Sequence, residues 1–127
     1  MLLLDTHLVL WFAFAPERLS SKAAKLLRNR ENALVFSLAT LWEVAIKTSL
    51  GRPDFSVDPR RLRLGLLAQG LTELGIGAEH IERVAALPWV HRDPFDRLLV
   101  AQAQVDGLTL LTADRTLKGY GRFVRVV

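Results

Sequence analysis

Short apolar runs alternate along the chain with stretches of helical period, and turn residues separate them. Leu2–Leu4 reads as a buried strand ending at Asp5, followed by an apolar helix over residues 8–14 that Pro16 terminates. Ser20 or Ser21 can cap a helix over 22–30, and residues 33–36 form a second strand-like run. Ser37 stands at the N-cap position of a helix over 38–50, with Gly51 at its stop. After a loop over 52–57, Asp58-Pro59 is a cap followed by a first-position proline, which predicts a helix through Gln69, stopped by Gly70. Residues 71–74 give a candidate strand, 78–86 a helix, and Pro88-Trp89 a loop. Asp93-Pro94 repeats the cap-proline signal for a strongly apolar helix ending before Gly107. A strand over 108–111, a turn or short helix over 114–117 and a last strand over 123–126 complete the chain, with no internal repeat.

Strands separated by helices throughout predict parallel β-α units. The expected fold is therefore α/β, with a parallel sheet of four or five strands and helices on both faces. Ligands of such sheets bind beyond the carboxyl ends of the strands, where strand order reverses. Asp5 follows the first apolar run directly, and Asp114 follows the run at 108–111 after Thr112-Ala113.

At 127 residues, the length fits one domain spanning 1–127, and 50% hydrophobic content gives it enough apolar surface for a core and excludes general disorder. The absence of cysteine excludes disulfides, thiolate metal sites and thiol catalysis, and it agrees with an expected cytoplasmic location. The apolar start, residues 1–15, has no preceding Lys or Arg and contains Asp5 and His7, unlike a secretory signal. No uncharged apolar stretch reaches membrane-spanning length, so no membrane role is expected. A net charge of +4 and a pI near 10.1 favour polyanionic partners.

Four acids carry the candidate chemistry, and each has a plainer alternative. Glu43 is the only acid in an otherwise apolar helix and shares a stripe with Thr40 and Lys47, so it could simply pair with Lys47 at i,i+4. Asp96 could complete a capping box begun by Asp93. Asp114 could cap the short helix after it. Asp5, next to a buried strand and without a nearby basic residue, needs a hydrogen-bonding turn or a cation. The three histidines, His7, His80 and His91, lack zinc-site spacing and read as non-ligands. There is no phosphate-binding Gly-rich loop and no nucleophile elbow, and His7 occupies the place where a phosphoaspartyl enzyme would want a second acid. Four clustered carboxylates on an α/β scaffold suit a hard divalent cation, magnesium or manganese, which can activate a water for attack on a phosphodiester.

At these residues the chain resembles the PIN domain, and within it the VapC-type toxin ribonucleases of bacterial toxin–antitoxin pairs. The resemblance rests on Leu3-Leu4-Asp5-Thr6-His7, on Ser37 with Trp42-Glu43-Val44-Ala45-Ile46-Lys47, on the segment from His91 through Asp93-Pro94-Phe95-Asp96-Arg97 to Ala103, and on Leu111-Thr112-Ala113-Asp114. These motifs, in this order, span nearly the whole chain. The resemblance implies that Asp5, Glu43, Asp96 and Asp114 are the acidic quartet, that Asp5 and Asp96 contact magnesium directly, and that Thr6 and Thr112 are supporting hydroxyls. It also favours Asp96 over Asp93 as the third acid, leaving Asp93 as a cap.

The expected function is thus magnesium-dependent endonucleolytic cleavage of RNA, with manganese able to substitute and growth inhibition as the cellular effect. The implied partners are an RNA substrate, a small antitoxin and a second copy of the chain. Two alternatives remain open: a PIN-like nuclease of RNA maturation or of DNA without an antitoxin, and a catalytically idle PIN module that binds nucleic acid or protein. Arg28, Arg30, Arg52, Arg60, Arg61, Arg63 and Arg83 are scattered, without the interleaved aromatics of a base-stacking platform.

Overall fold

A computed structural model describes residues 1–127. Five strands form one parallel sheet: β1 (Leu2–Leu4), β2 (Leu34–Ser37), β3 (Thr72–Leu74), β4 (Thr109–Thr112) and β5 (Val124–Val126). Their order is β3-β2-β1-β4-β5. The chain builds outward from β1 through β2 to β3, then returns to place β4 on the other side of β1. The strand order therefore reverses between β1 and β4, where α/β sheets bind ligands.

Six α-helices connect the strands: α1 (Thr6–Phe14), α2 (Ser21–Arg28), α3 (Leu38–Ser49), α4 (Pro59–Ala68), α5 (Ala78–Ala86) and α6 (Pro94–Asp106). A 3-10 turn at Pro16–Arg18 follows α1, and a longer one at Arg115–Tyr120 precedes β5. The alternating side chains of the strands feed two cores, one on each face of the sheet. Leu3, Val35, Leu110 and Val124 pack on one face with Leu99, Val100 and Ala103 of α6. Leu2, Leu4, Phe36 and Leu111 pack on the other with Leu8, Val9, Val44, Leu62 and Leu66. Helices on both faces of a five-stranded parallel sheet match the expected architecture.

The anticipated caps form at most of the starts. Ser20 accepts from the Ala23 amide, Ser37 from Ala39, Asp58 from Arg60, and Asp93 from Phe95 and Asp96. Gly107 ends α6 in the left-handed region at φ 65°, where glycine carries no Cβ penalty. One boundary differs in a way that matters for function. Helix α1 begins at Thr6 rather than at residue 8, because the Asp5 carboxylate caps it by accepting the Leu8 amide at 2.9 Å. Thr6 and His7 are polar, so the apolar pattern that marks the helix begins only at Leu8.

Candidate active site

Register places the first acid. Leu4 of β1 lies opposite Leu111 of β4, and the Asp5 amide donates to the Leu111 carbonyl at 3.0 Å, so Asp5 emerges beside Thr112. The Thr112 hydroxyl donates to Asp5 Oδ2 at 2.5 Å while accepting the Asp114 amide at 2.9 Å. One buried threonine thus fixes the side chain of one acid and the backbone of another. With Oδ1 held by Leu8 and Oδ2 by Thr112, the Asp5 carboxylate has a single orientation. Burial nevertheless pushes its pKa up, against the lowering effect of those bonds.

Packing of α3 on α6 brings in two more acids. Ser37 Oγ donates to Gln102 Oε1 at 2.6 Å in the interior, and Trp42 meets Phe95 edge to face with ring centroids 5.0 Å apart. Each aromatic ring immediately precedes an acid, Glu43 on α3 and Asp96 in the first turn of α6. The Asp96 carboxyl is pushed up from 3.8 to about 7, first by burial and then by the negative charges of Asp93, Asp5 and Glu43, with His91 acting in the opposite sense. Asp93 itself caps α6 with Oδ1, which leaves Asp96 to face its acidic neighbours.

Asp5, Asp96 and Asp114 line a single cavity of about 340 Å³ together with His7, Trp11 and Ala113. Glu43 stands off the cavity wall. It is buried, accepting from the Thr6 hydroxyl at 2.8 Å through one oxygen and from Lys47 Nζ at 2.7 Å through the other. Because the single Thr6 proton goes to Glu43, the Thr40 hydroxyl at 3.2 Å is the donor to Thr6. The expected Glu43–Lys47 pair therefore exists, and so does a buried link from Glu43 through Thr6 to the residue beside Asp5. Asp114 likewise does what its plainer reading required, accepting the Thr116 amide at 2.9 Å, while still facing the cavity. Burial raises its pKa, but the bonds from Thr116 and His91 outweigh this and hold it below the usual carboxylate value.

Spacing alone reads His91 as a non-ligand, and the fold places it among the acids. Its Nε2 is 3.1 Å from Asp114 Oδ2 and 3.8 Å from Asp96 Oδ2, and one ligating atom from each of the three lies within 4.8 Å of the others. Its Nδ1 accepts the Asp93 amide at 3.0 Å, so in the neutral ring the proton sits on Nε2 and points at Asp114. In that tautomer His91 donates to a carboxylate and offers no lone pair to a metal.

The loop carrying His91 is clamped by Arg97, which is buried without an ion-pair partner. Its guanidinium donates to the carbonyls of Pro88 at 2.9 Å and Val84 at 3.2 Å and to the Tyr120 hydroxyl at 3.0 Å, and it lies 3.9 Å from the centroid of the Trp89 ring. Tyr120 in turn accepts the His91 amide at 3.0 Å. No local sequence signal links residues 91, 97, 114 and 120. His80, by contrast, lies away from the cavity: it accepts the Gly77 amide through Nδ1 and meets Asp106 with Nε2 at 2.9 Å.

Comparison with known proteins agrees with this fold. Residues 2–122 match the family model described as the PIN domain. Ribonuclease VapC22 of Mycobacterium tuberculosis is 30% identical over 119 residues, covering 93% of this chain and 90% of that protein. Two solved structures share the fold. A toxin–antitoxin complex from Klebsiella pneumoniae aligns with a TM-score of 0.68 at 20% identity, over 99% of this chain and 97% of its counterpart. VapBC2 from Rickettsia felis, bound to a DNA fragment from its promoter, aligns at 0.69 and 16% identity, over 99% and 96%. On the strength of the domain match and of the relative that spans almost its full length, this chain belongs to the PIN-domain family, in its VapC branch.

Proposed function

We propose that this protein is a magnesium-dependent endoribonuclease and the toxic member of a toxin–antitoxin pair. The observation that carries the reading is the convergence of Asp5, Asp96 and Asp114, delivered by three separate elements, on one cavity at the carboxyl ends of the sheet. The name of the Mycobacterium tuberculosis relative supports the reaction class, and the nature of the two structural neighbours supports the pairing with an antitoxin.

The donor set fits a hard cation. Three of the six lining residues are carboxylates, the chain has no cysteine thiolate to offer, and the pKa of Asp96 is raised first by burial and then by negative neighbours whose charge a divalent ion would offset. Asp5, Asp96 and Asp114 would hold magnesium, Asp5 and Asp96 directly, and manganese would serve in its place. When bound, the ion supplies positive charge that favours deprotonation of a water and offsets charge on the phosphate under attack.

The chain's own residues orient this chemistry. Thr112 fixes Asp5 and the backbone of Asp114, His91 donates to Asp114, and Thr6 with Lys47 holds both Glu43 oxygens behind the cavity. The Arg97 clamp on the 87–93 loop keeps His91 in register.

The same negative cavity would attract an arginine from an antitoxin, and such a residue would displace the metal and silence the enzyme. A homodimer and a cytoplasmic location follow from the family resemblance. The test is purified protein with single-stranded RNA and magnesium. Cleavage should be lost in Asp5→Asn, Asp96→Asn and Asp114→Asn and retained in Asp93→Asn, which preserves a capping side chain. Equal activity in all four variants would place the reaction elsewhere.

A further inference from the structure

The wall of the acid cavity that the proposed chemistry leaves unused is formed by two rings of α1. His7 and Trp11, one helical turn apart, line the cavity together with Asp5, Asp96 and Asp114. Their ring centroids are 5.9 Å apart at an interplanar angle of 51°. His7 is exposed and its ring makes no hydrogen bond, so the fold gives it no structural task. Trp11 is half-buried and packs against the core that contains Leu4, Leu8 and Phe36. The Asp5 cap ties the first turn of α1, and with it both rings, to the end of β1. The exposed Arg18 guanidinium lies 5.8 Å from the centroid of the Trp11 ring, with no carboxylate at ion-pair distance.

We infer that His7 and Trp11 form an aromatic shelf on which an unpaired nucleobase of the RNA substrate stacks, beside the phosphodiester that the acids face. The inference rests on the ribonuclease reading and adds to it how the substrate is held. Acids cannot themselves bind a polyanion, so a carboxylate-lined cavity needs contacts that do not depend on attracting phosphate. Stacking on aromatic faces meets that need. It is tolerant of base identity and is available only where a base is free of pairing. His7 is exposed and so open to a stacking base, and Arg18, exposed and without an ion pair, is a cation available to a phosphate of the same strand. The occupant that fits an aromatic ledge, an unpaired guanidinium and an adjoining acid site is therefore a single-stranded nucleic acid, read through stacking more than through base edges.

The experiment has a binding arm and a kinetic arm. In the binding arm, Trp11 is made the sole indole by Trp42→Phe and Trp89→Phe, and Asp96→Asn prevents cleavage. The probe is a short single-stranded oligoribonucleotide, compared with an abasic series of the same length and with a duplex. Indole emission should be quenched by the single strand, less by the oligomer whose abasic position falls at the shelf, and not by the duplex.

In the kinetic arm, His7→Ala should raise KM about ten-fold while kcat stays within about two-fold, and His7→Phe should restore KM, because phenyl keeps the stacking face without the imidazole. Quenching without any cleavage by the unsubstituted enzyme would uphold the shelf and overturn the nuclease reading. Cleavage without quenching, or an identical KM for His7→Ala and wild type, would overturn the shelf. So would a Trp11 response to the antitoxin protein and none to RNA, which would make the shelf a protein-docking surface.

Discussion

Replacing Asp96 with asparagine should stabilise the metal-free protein while destroying its activity, and the size of the effect follows from the surroundings of this one carboxyl. Its pKa rises from 3.8 in the unfolded chain to about 7 in the fold, through burial and through the facing charges of Asp93, Asp5 and Glu43. Each pH unit of that displacement is worth about 1.4 kcal/mol, so ionised Asp96 costs the apo fold on the order of 4 kcal/mol once the pH exceeds 7. The sign is that of an acid whose folded pKa is raised. The fold binds the proton more tightly than the unfolded chain does, so stability is fully present below pH 3.8 and is lost as pH rises through 7. Asparagine keeps the shape and cannot ionise. Allowing for relaxation around the charge, we expect Asp96→Asn to gain about 1–3 kcal/mol at pH 8 in EDTA. For a chain of this length that is a rise in Tm of about 4–10 °C. The assay is thermal unfolding followed by circular dichroism at pH 8 and pH 5, with EDTA and with magnesium. At pH 5 the gain should fall below half its value at pH 8. Magnesium at about 100 times its Kd should raise the stability of the wild type by about 2.7 kcal/mol and leave the variant unmoved. A variant less stable than wild type at pH 8, or a gain independent of pH, would refute the reasoning.

Three further outcomes are expected. Thr112→Val removes the donor to Asp5 and the acceptor for the Asp114 amide in one nearly isosteric step, so kcat should fall by about ten-fold or more with KM little changed, at a stability cost of about 1–3 kcal/mol read from denaturant unfolding. Lys47→Met strands the buried Glu43 carboxylate; because Lys47 is 44% exposed, the loss should be modest, about 1–2 kcal/mol, and Glu43→Gln in the same chain should recover most of it in a double-mutant cycle. Expression of the chain alone should arrest growth, and co-expression with the product of the adjacent upstream gene should relieve the arrest and yield a co-purifying small protein, whereas harmless expression with no such partner would remove the toxin assignment.

The alternation of strands and helices was legible because buried parallel strands read as short apolar runs and because Ser20, Ser37, Asp58 and Asp93 announce their helices by local chemistry. The start of α1 was not, since polar Thr6 and His7 stand ahead of the apolar run that marks the helix from residue 8, and its cap is an acid that also serves the cavity. Three acids could be placed at the site from the ends of elements alone, Asp5 and Asp114 beyond strands and Asp96 in a first helical turn. The position of Glu43 behind the cavity depended on how α3 leans on α6, which the Ser37–Gln102 bond and the Trp42–Phe95 contact decide across 65 and 53 residues of sequence. The place of His91 beside the acids was not legible for the same reason: its partners Asp114 and Tyr120 are 23 and 29 residues away, and no spacing rule connects them. The aromatic shelf was concealed differently. His7 stands just ahead of the apolar helix expected over 8–14 and Trp11 within it, and only the placement of α1 against the acid cavity brings the two together there.

The central claim is that these acids form one divalent-metal centre that hydrolyses RNA with water as the nucleophile. The most direct measurement is end-group analysis of RNA cut by the purified protein, with and without EDTA. The account predicts 5′-phosphate and 3′-hydroxyl ends, cleavage abolished by EDTA, and restoration by magnesium or manganese. Undiminished cutting in EDTA, or 2′,3′-cyclic phosphate ends, would contradict it.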